Sequence, residues 1–341
     1  MRYDFLNVCN DVTKTATKIL QSDYLSNGLY PIYDQGKNII AGYYNNANGI
    51  ANEYPYIVFG DHTRVIKYVD TPCFIGADGV KLIKVTNSNF LAKYVYYSMI
   101  ANPVDSQGYS RHYKFLKETT IKYVDKDTQL KIIDELNMIN YALTNKINKL
   151  TLLDELIKSR FIEMFDGKYE SECLYKVCDE LFAGGDVKKE KSSNTKSEAY
   201  PYPIYTNGEK DNGLYGYTSI YRVDKEAVTI SGRGTIGFTC LRNEPFYPAV
   251  RLIVAVPNQK VISGCYLKYF IESKNYGGQG ASIPQLTVPM IKNELIPLPP
   301  IEEQNRFANF VQLIDKSKFI VQKQIKELQE LLDSKMDEYF R

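Results

Sequence analysis

The spacing of apolar positions changes twice along the chain, and the changes divide it into four stretches. From 126 to 165, Leu136, Ile139, Leu143, Leu150, Leu153 and Ile157 follow a heptad spacing that lays one apolar seam along a helix. Lys146 and Arg160 interrupt that seam. From 301 to 340 the same frame returns as Val311, Ile314, Val321, Ile325, Leu328 and Leu332, broken by Lys318 and Lys335. Laid together at a constant offset, Gln129 falls on Gln304, Ile139 on Ile314, Leu153 on Leu328 and Phe165 on Phe340, without a gap. A gapless match of that length predicts a repeated helix. At 1.5 Å per residue each copy reaches roughly 60 Å, long enough for a spacer. Two imperfect seams of equal length predict a coiled-coil pairing within the chain. The basic interruptions predict a seam only partly closed by its twin, leaving apolar positions for a partner subunit.

The stretches before each helix change period. Residues 1 to 125 alternate short β-branched and tyrosine-rich segments with glycine, asparagine and aspartate turns, a β pattern. Ile57-Val58-Phe59, Val65 to Val69 and Val80 to Val85 are its clearest strands, and Asn89 to Ile100 reads as a helix packed on them. Residues 166 to 300 repeat the plan. Tyr30-Pro31-Ile32-Tyr33 recurs as Tyr202-Pro203-Ile204-Tyr205, Val8-Cys9-Asn10-Asp11 resembles Val177-Cys178-Asp179-Glu180, and Phe59-Gly60-Asp61 aligns with Ile230-Ser231-Gly232. Between these frame positions the copies differ almost freely, as expected of one scaffold carrying two working surfaces. The predicted class is α+β: two similar, mostly β domains (1–125 and 166–300) with two long helices (126–165 and 301–341) in an internal pseudo-twofold repeat. The polar run Asp186 to Ser197 reads as a loop.

Composition narrows the functions. No apolar run approaches the ~18 residues of a membrane span, and Met1-Arg2-Tyr3-Asp4 opens no signal-peptide pattern, so a cytoplasmic protein is expected. Six cysteines are scattered without metal-ligand spacing, which predicts reduced thiols. With 42 basic against 40 acidic residues, non-specific attraction to nucleic acid is excluded as the main source of affinity, whereas local basic loops remain compatible with specific reading. The two histidines, His62 and His112, both lie in the first copy, so no histidine-based catalytic set can be shared by the halves. Asn102-Pro103-Val104-Asp105 lacks the proline and aromatic of an adenine-methyltransferase motif. Gly232-Arg233-Gly234 and Gly277-Gly278-Gln279-Gly280 lack the lysine and hydroxyl residue of a phosphate-cradling loop.

What remains are loops at matching points of the two copies. Arginine can bond two acceptors on guanine, glutamine can pair with adenine, and serine, threonine or lysine can hold phosphates. In the first copy the candidates for DNA contact are Asp61, His62, Thr63, Arg64, Gln107, Tyr109, Ser110, Arg111, His112 and Lys114. In the second they are Ser231, Arg233, Thr235, Gln279, Ser282 and Gln285. Two other classes compete. A self-contained nuclease needs a carboxylate cluster and a metal, and no acidic spacing here supplies one. A scaffold protein with paired helices explains the repeat and leaves the loop arginines and glutamines unexplained.

Ile296-Pro297-Leu298-Pro299-Pro300-Ile301-Glu302-Glu303-Gln304 and Gly232-Arg233-Gly234-Thr235-Ile236-Gly237, set in this doubled plan, resemble the specificity subunit of type I restriction-modification systems over essentially the whole chain. The first copy departs from the pattern, with Ile121 to Gln129 lacking the prolines and Gly60-Asp61-His62-Thr63-Arg64 in place of the glycine-rich turn. The resemblance implies that the two helices pair antiparallel, and that the chain is a non-catalytic reader whose two target-recognition domains each read half of a split double-stranded DNA site. It implies two methyltransferase subunits that use S-adenosylmethionine, and restriction subunits that use ATP and Mg. No cofactor or metal is expected in this chain itself.

Overall fold

A computed structural model describes residues 1–108, 110–187, 192–274, 276 and 285–341. The chain divides into two compact units: residues 1–147 with 323–341, and residues 148–322. Each unit holds two four-stranded sheets and one two-stranded sheet, together with part of each long helix.

In the first unit, strands β1 (Cys9–Asp11), β2 (Tyr56–Gly60), β3 (Ile66–Val69) and β4 (Val80–Val85) form a sheet in the order β1-β4-β2-β3. Every neighbouring pair is antiparallel, with Cys9 opposite Val85, Ile57 opposite Ile83 and Val58 opposite Lys67. Strand β2 is buried along its whole length, and the two-residue period of a strand sends its side chains to two different cores. Ile57 and Phe59 join Ile83 beneath helix α1 (Ala92–Ala101), where Tyr94 and Val95 are buried. Tyr56 and Val58 face the other way, onto Tyr33, Cys73 and Ile75 of a second sheet. That sheet orders Lys18–Ile19, Phe74–Gly76, Tyr30–Tyr33 and Gly42–Tyr44.

Helix α2 spans Lys126–Phe165 and has 40 residues. It starts where Asp125 caps it, accepting the Thr128 amide at 2.9 Å and the Thr128 hydroxyl at 2.7 Å. These two bonds hold the Asp125 carboxyl below its usual range.

The second unit repeats the order. Strands β5 (Cys178–Ala183), β6 (Ala227–Ile230), β7 (Thr239–Arg242) and β8 (Ile253–Pro257) run β5-β8-β6-β7. Val228, Ile230, Ile253 and Ala255 face helix α3 (Gly264–Ser273), and Ala227, Val254 and Val256 face Tyr205 and Phe246. Part of the run expected to be a loop is a strand: Ser192 and Ser193 pair with Thr218 and Tyr217. An edge strand needs backbone partners and little hydrophobicity, so polar composition concealed it. Helix α4 covers Ile301–Phe340, again 40 residues.

The long helices complete both cores. In the first unit Ile132, Ile133 and Leu136 of α2 and Met336 and Phe340 of α4 pack with α1. In the second, Ile157, Phe161 and Phe165 of α2 and Phe307 and Val311 of α4 pack with α3. The Phe165 ring meets Tyr266 edge-on at 4.8 Å, and Phe340 lies 5.1 Å from Tyr94. Those two tyrosines donate their hydroxyls to equivalent carbonyls, of Pro297 at 2.7 Å and Lys122 at 3.0 Å.

The helices run antiparallel within each unit. In the first, Lys335 Nζ lies 3.2 Å from Glu135 and Lys146 Nζ donates to Gln324 at 2.7 Å. In the second, Lys318 pairs with Asp154. Three of the four basic positions expected to leave the seam open therefore bond across it. Arg160 instead bonds along its own helix, to Glu163 at 2.8 Å. A lysine stem can cover apolar surface while its ammonium finds an acceptor on the facing helix, which heptad counting does not register.

One residue type locks each helix start to its unit. Gln129 and Gln304 are fully buried. Gln129 Oε1 accepts the Leu91 amide at 2.8 Å, and its Nε2 donates to Asn89 O and Val124 O, both at 2.8 Å. Gln304 makes the same set: it accepts from Ser263 N at 2.9 Å and donates to Val261 O at 3.0 Å and Pro299 O at 2.9 Å. Replacing either glutamine by leucine strands three backbone groups, and orphaned buried polar groups cost about 1–3 kcal/mol each before relaxation. Gln304→Leu should lower stability by roughly 2–5 kcal/mol in urea unfolding. A change below about 0.5 kcal/mol would show that water replaces the amide.

Candidate nucleic-acid interface

The loops predicted to carry function leave the ends of the buried central strands. In the first unit β2 ends at Gly60, where a Cβ would meet the Thr63 Oγ1 at 2.2 Å, so the turn 61–64 is tight around a glycine. Asp61 is 4 % exposed and His112 1 % exposed. The Asp61 carboxylate accepts the Tyr113 amide at 2.7 Å, and its carbonyl accepts from His112 N at 2.7 Å and His112 Nδ1 at 3.0 Å. The other ring nitrogen, Nε2, accepts the Gln107 amide at 3.2 Å. That arrangement requires the neutral tautomer with its proton on Nδ1. Arg64, at φ 63°, donates to Val104 O at 3.1 Å.

These bonds revise three expectations in this unit. Asp61, His112 and Arg64 stitch the loop before His112 to the strand end; Asp61 and His112 are buried, and half-buried Arg64 commits Nη1 to Val104 O. The solvent-facing side chains of the group are Gln107, Arg111 and Lys114, with Thr63 exposed at the turn and bonded to Gln35 O at 2.6 Å. His62 and Ser110 are half-buried. Tyr109 lies outside the described residues. Tyr113 forms a wall beneath the loop; burial, then Asp11, Cys9 and Asp61 nearby, push its phenol up to about 12, so it stays neutral.

In the second unit the corresponding turn follows β6. Ser231 is 2 % exposed and accepts the Gly208 amide at 3.0 Å through its hydroxyl, so it too is structural. A Cβ at Gly232 would meet Leu286 O at 2.7 Å and Arg251 O at 2.9 Å, and no other residue fits there without moving backbone. Gly232 donates its amide to Asn207 Oδ1 at 2.7 Å and accepts from Leu286 N at 2.9 Å. From this base Arg233 and Thr235 project exposed, and half-buried Gln285 stands beside Arg233. Gln279 and Ser282 fall outside the described residues.

Sequence reading missed two anchors. Gln35 and Asn207 occupy the second position after each Tyr-Pro-Ile-Tyr. Gln35 Oε1 accepts the His62 amide at 3.3 Å, as Asn207 accepts that of Gly232. An amide at the same place in both copies was the available signal. Arg251 was also missed; it is exposed, at φ 66°, with its carbonyl close against Gly232.

Chemically, the exposed groups can donate and accept hydrogen bonds and carry positive charge. A groove in the second unit beside Thr235 mixes Asp154, Glu209, Glu272 and Asp315 with Lys158, Lys268 and Lys318, and so is not a basic cleft. Among the described residues no set of three or more histidine, cysteine or acidic side chains could hold a metal ion, and no helix is long and apolar enough to cross a membrane. Turns of this kind on rigid sheets define a binding protein that presents polar loops.

Comparison with known proteins names the class. Residues 176–330 match the family described as the type I restriction modification DNA specificity domain. A Mycoplasma pneumoniae protein named as a type I specificity subunit is 25 % identical over 311 residues, covering 85 % of this chain and 83 % of its own length. The specificity subunit of the Escherichia coli type I restriction enzyme EcoR124I/EcoR124II is 21 % identical over 333 residues, covering 86 % of this chain and 80 % of its own length. A crystal structure of the Mycoplasma genitalium type I S subunit superposes with a TM-score of 0.63 at 14 % identity, covering 98 % of this chain and 94 % of that one. A structure from work on assembly and conformational transition of the type I system gives 0.59 at 15 % identity, covering 100 % and 97 %.

Over most of its length the chain is thus similar to type I restriction-modification specificity subunits, and residues 176–330 match their DNA specificity domain. Subunits of this family recognise DNA sequence and are themselves non-catalytic.

The stitched loop of the first unit yields a direct test. Asp61→Ala removes the acceptor of the Tyr113 amide and should cost about 1–3 kcal/mol. Hydrogen exchange should quicken at Tyr113 and Gln107 while β8, in the other unit, keeps its protection. Unchanged exchange at Gln107 would separate the loop from the Asp61 clip.

Proposed function

We propose that this chain reads a split double-stranded DNA site, one half through each unit, and directs adenine methylation and restriction by partner subunits. The observation that carries this reading is the placement of exposed Gln107, Arg111 and Lys114 in one unit and Arg233 and Thr235 in the other, around the ends of equivalent strands. Because the exposed side chains differ between the units, the two half-sites differ in sequence. Specific contact needs only these local donors and acceptors, which suits a chain with a formal net charge of +2.

The helices are the spacer and the platform. Their pairing forms an antiparallel coiled coil, and the repeat of units and helices gives the pseudo-twofold plan. Leu130, Met138 and Tyr141 in the first unit, and Leu152, Leu156 and Leu313 in the second, are large apolar side chains left exposed on the helices. They are the surfaces offered to two methyltransferase subunits, which bring S-adenosylmethionine; restriction subunits bring ATP and Mg. Such a complex works in the cytoplasm.

Genome-wide mapping of methylated adenines, with and without this subunit beside its methyltransferase, should yield one split motif that depends on the subunit. Adding four residues after Ile147 and four after Gln322 lengthens each helix by about one turn, roughly 6 Å. The unread gap should grow by about one or two base pairs, at 3.4 Å per step, with both half-sites unchanged. Altered half-sites with an unchanged gap would sink the spacer assignment.

A further inference from the structure

Arg233 and Gln285 are far apart in sequence and meet because one backbone bond places them together. The Leu286 amide donates to Gly232 O at 2.9 Å, so the residues beside those two, Gln285 and Arg233, become neighbours. Leu286 is buried in the core of the unit, and Gly232 is clamped by Asn207 and the carbonyls packed against it. The pair therefore stands on a base that cannot easily shift. Arg233 donates to Gln285 Oε1 twice, from Nε at 3.2 Å and from Nη2 at 2.9 Å.

That bond uses one edge of the guanidinium, and among the described residues no partner takes the other. Nη1 keeps both of its hydrogens and Nη2 keeps one, and these are the donors of an end-on fork. Two parallel donors match the O6 and N7 acceptors of guanine in the major groove. A held fork also loses less side-chain entropy on binding than a free one. Gln285 binds the guanidinium while its own amide nitrogen stays available, so it aims the arginine without neutralising it.

Among the described residues, the corresponding turn of the first unit shows no arginine held by a side-chain amide. There half-buried Arg64 donates from Nη1 to Val104 O, and the exposed cations, Arg111 and Lys114, come from a different loop. Lys114 lies 4.6 Å over the Phe115 ring.

We infer that Arg233 reads a guanine in the half-site of the second unit, with Gln285 as its positioning residue. This rests on the DNA-reading function proposed above. It adds a residue, a base and an asymmetry: the guanine contact belongs to one half-site, and the other is read by other means.

The test uses the full chain produced with its methyltransferase subunit. Adenine-methylation mapping of Arg233→Ala should relax one guanine in one half-site to several bases and leave the other half-site intact. Placing 7-deazaguanine at that position of a duplex removes the N7 acceptor. It should weaken binding by the wild-type complex about tenfold or more, and change binding by the Arg233→Ala complex little. Arg233→Lys keeps the charge and loses the fork, so it should keep the salt dependence of binding and lose the discrimination. Gln285→Leu should lose part of the same discrimination at an unchanged salt slope.

A phosphate contact gives a different pattern and overturns the inference. Arg233→Ala would then weaken binding to all duplexes alike, the salt slope would fall by about one, and Arg233→Lys would restore both. Insensitivity of the wild-type complex to 7-deazaguanine at every guanine of its motif overturns it as well. A wild-type complex with no methylation motif and no preference among duplexes removes the DNA-reading function itself, a failure distinguishable from either of these.

Discussion

The structure depends on a buried glutamine used twice. Gln129 and Gln304 each close three backbone hydrogen bonds at the point where a long helix leaves its unit. A buried amide can be satisfied completely or left at high cost, and here both donors and the acceptor are met by backbone groups of fixed position. The bonds join the helix start to the start of α1 or α3, so the direction in which the helix departs is tied to the sheet. The edge of the sheet that carries the turns after β2 and β6 is thereby tied to it as well. Aromatic packing would hold the elements together without defining that direction so sharply.

The second organising feature is the double use of each central strand. β2 and β6 send alternate residues into separate cores, one shared with the long helices and one with the outer sheet. A strand buried on both faces cannot slip in register without exposing one whole set of side chains. Its end is consequently a rigid origin for a turn. Gly60 and Gly232 let the chain reverse tightly there, and side-chain amides from Gln35 and Asn207 satisfy the turn amides. Scaffold and variable surface are separated by only two or three residues: Gly232 is hemmed in on all sides while Arg233 is in water.

That separation suits a protein whose task is to read. Where the first unit spends arginine, aspartate and histidine on holding its loop, the second spends serine, asparagine and glycine, and leaves its arginine outside. One framework thus supports two unlike surfaces. The type I specificity subunits to which the chain is similar are themselves non-catalytic.

Periodicity alone determined the two forty-residue helices, their matching frame, the strands at 57–59, 65–69 and 80–85 and the helix after Asn89, because burial repeats every 3.5 or every two residues and leaves that spacing in the chain. It also located the turns at those strand ends, since the ends are punctuated by glycine. Which side chains in those turns face outward was decided only by tertiary structure. Asp61, His112 and Ser231 look as polar in sequence as Gln107 and Arg233, yet their partners, Tyr113, Asp61 and Gly208, arrive from elsewhere in the chain. The lysines of the helix seam likewise resembled gaps until Glu135, Asp154 and Gln324 came opposite them. A hydrogen bond depends on direction and distance between residues remote in sequence, and no local pattern records either.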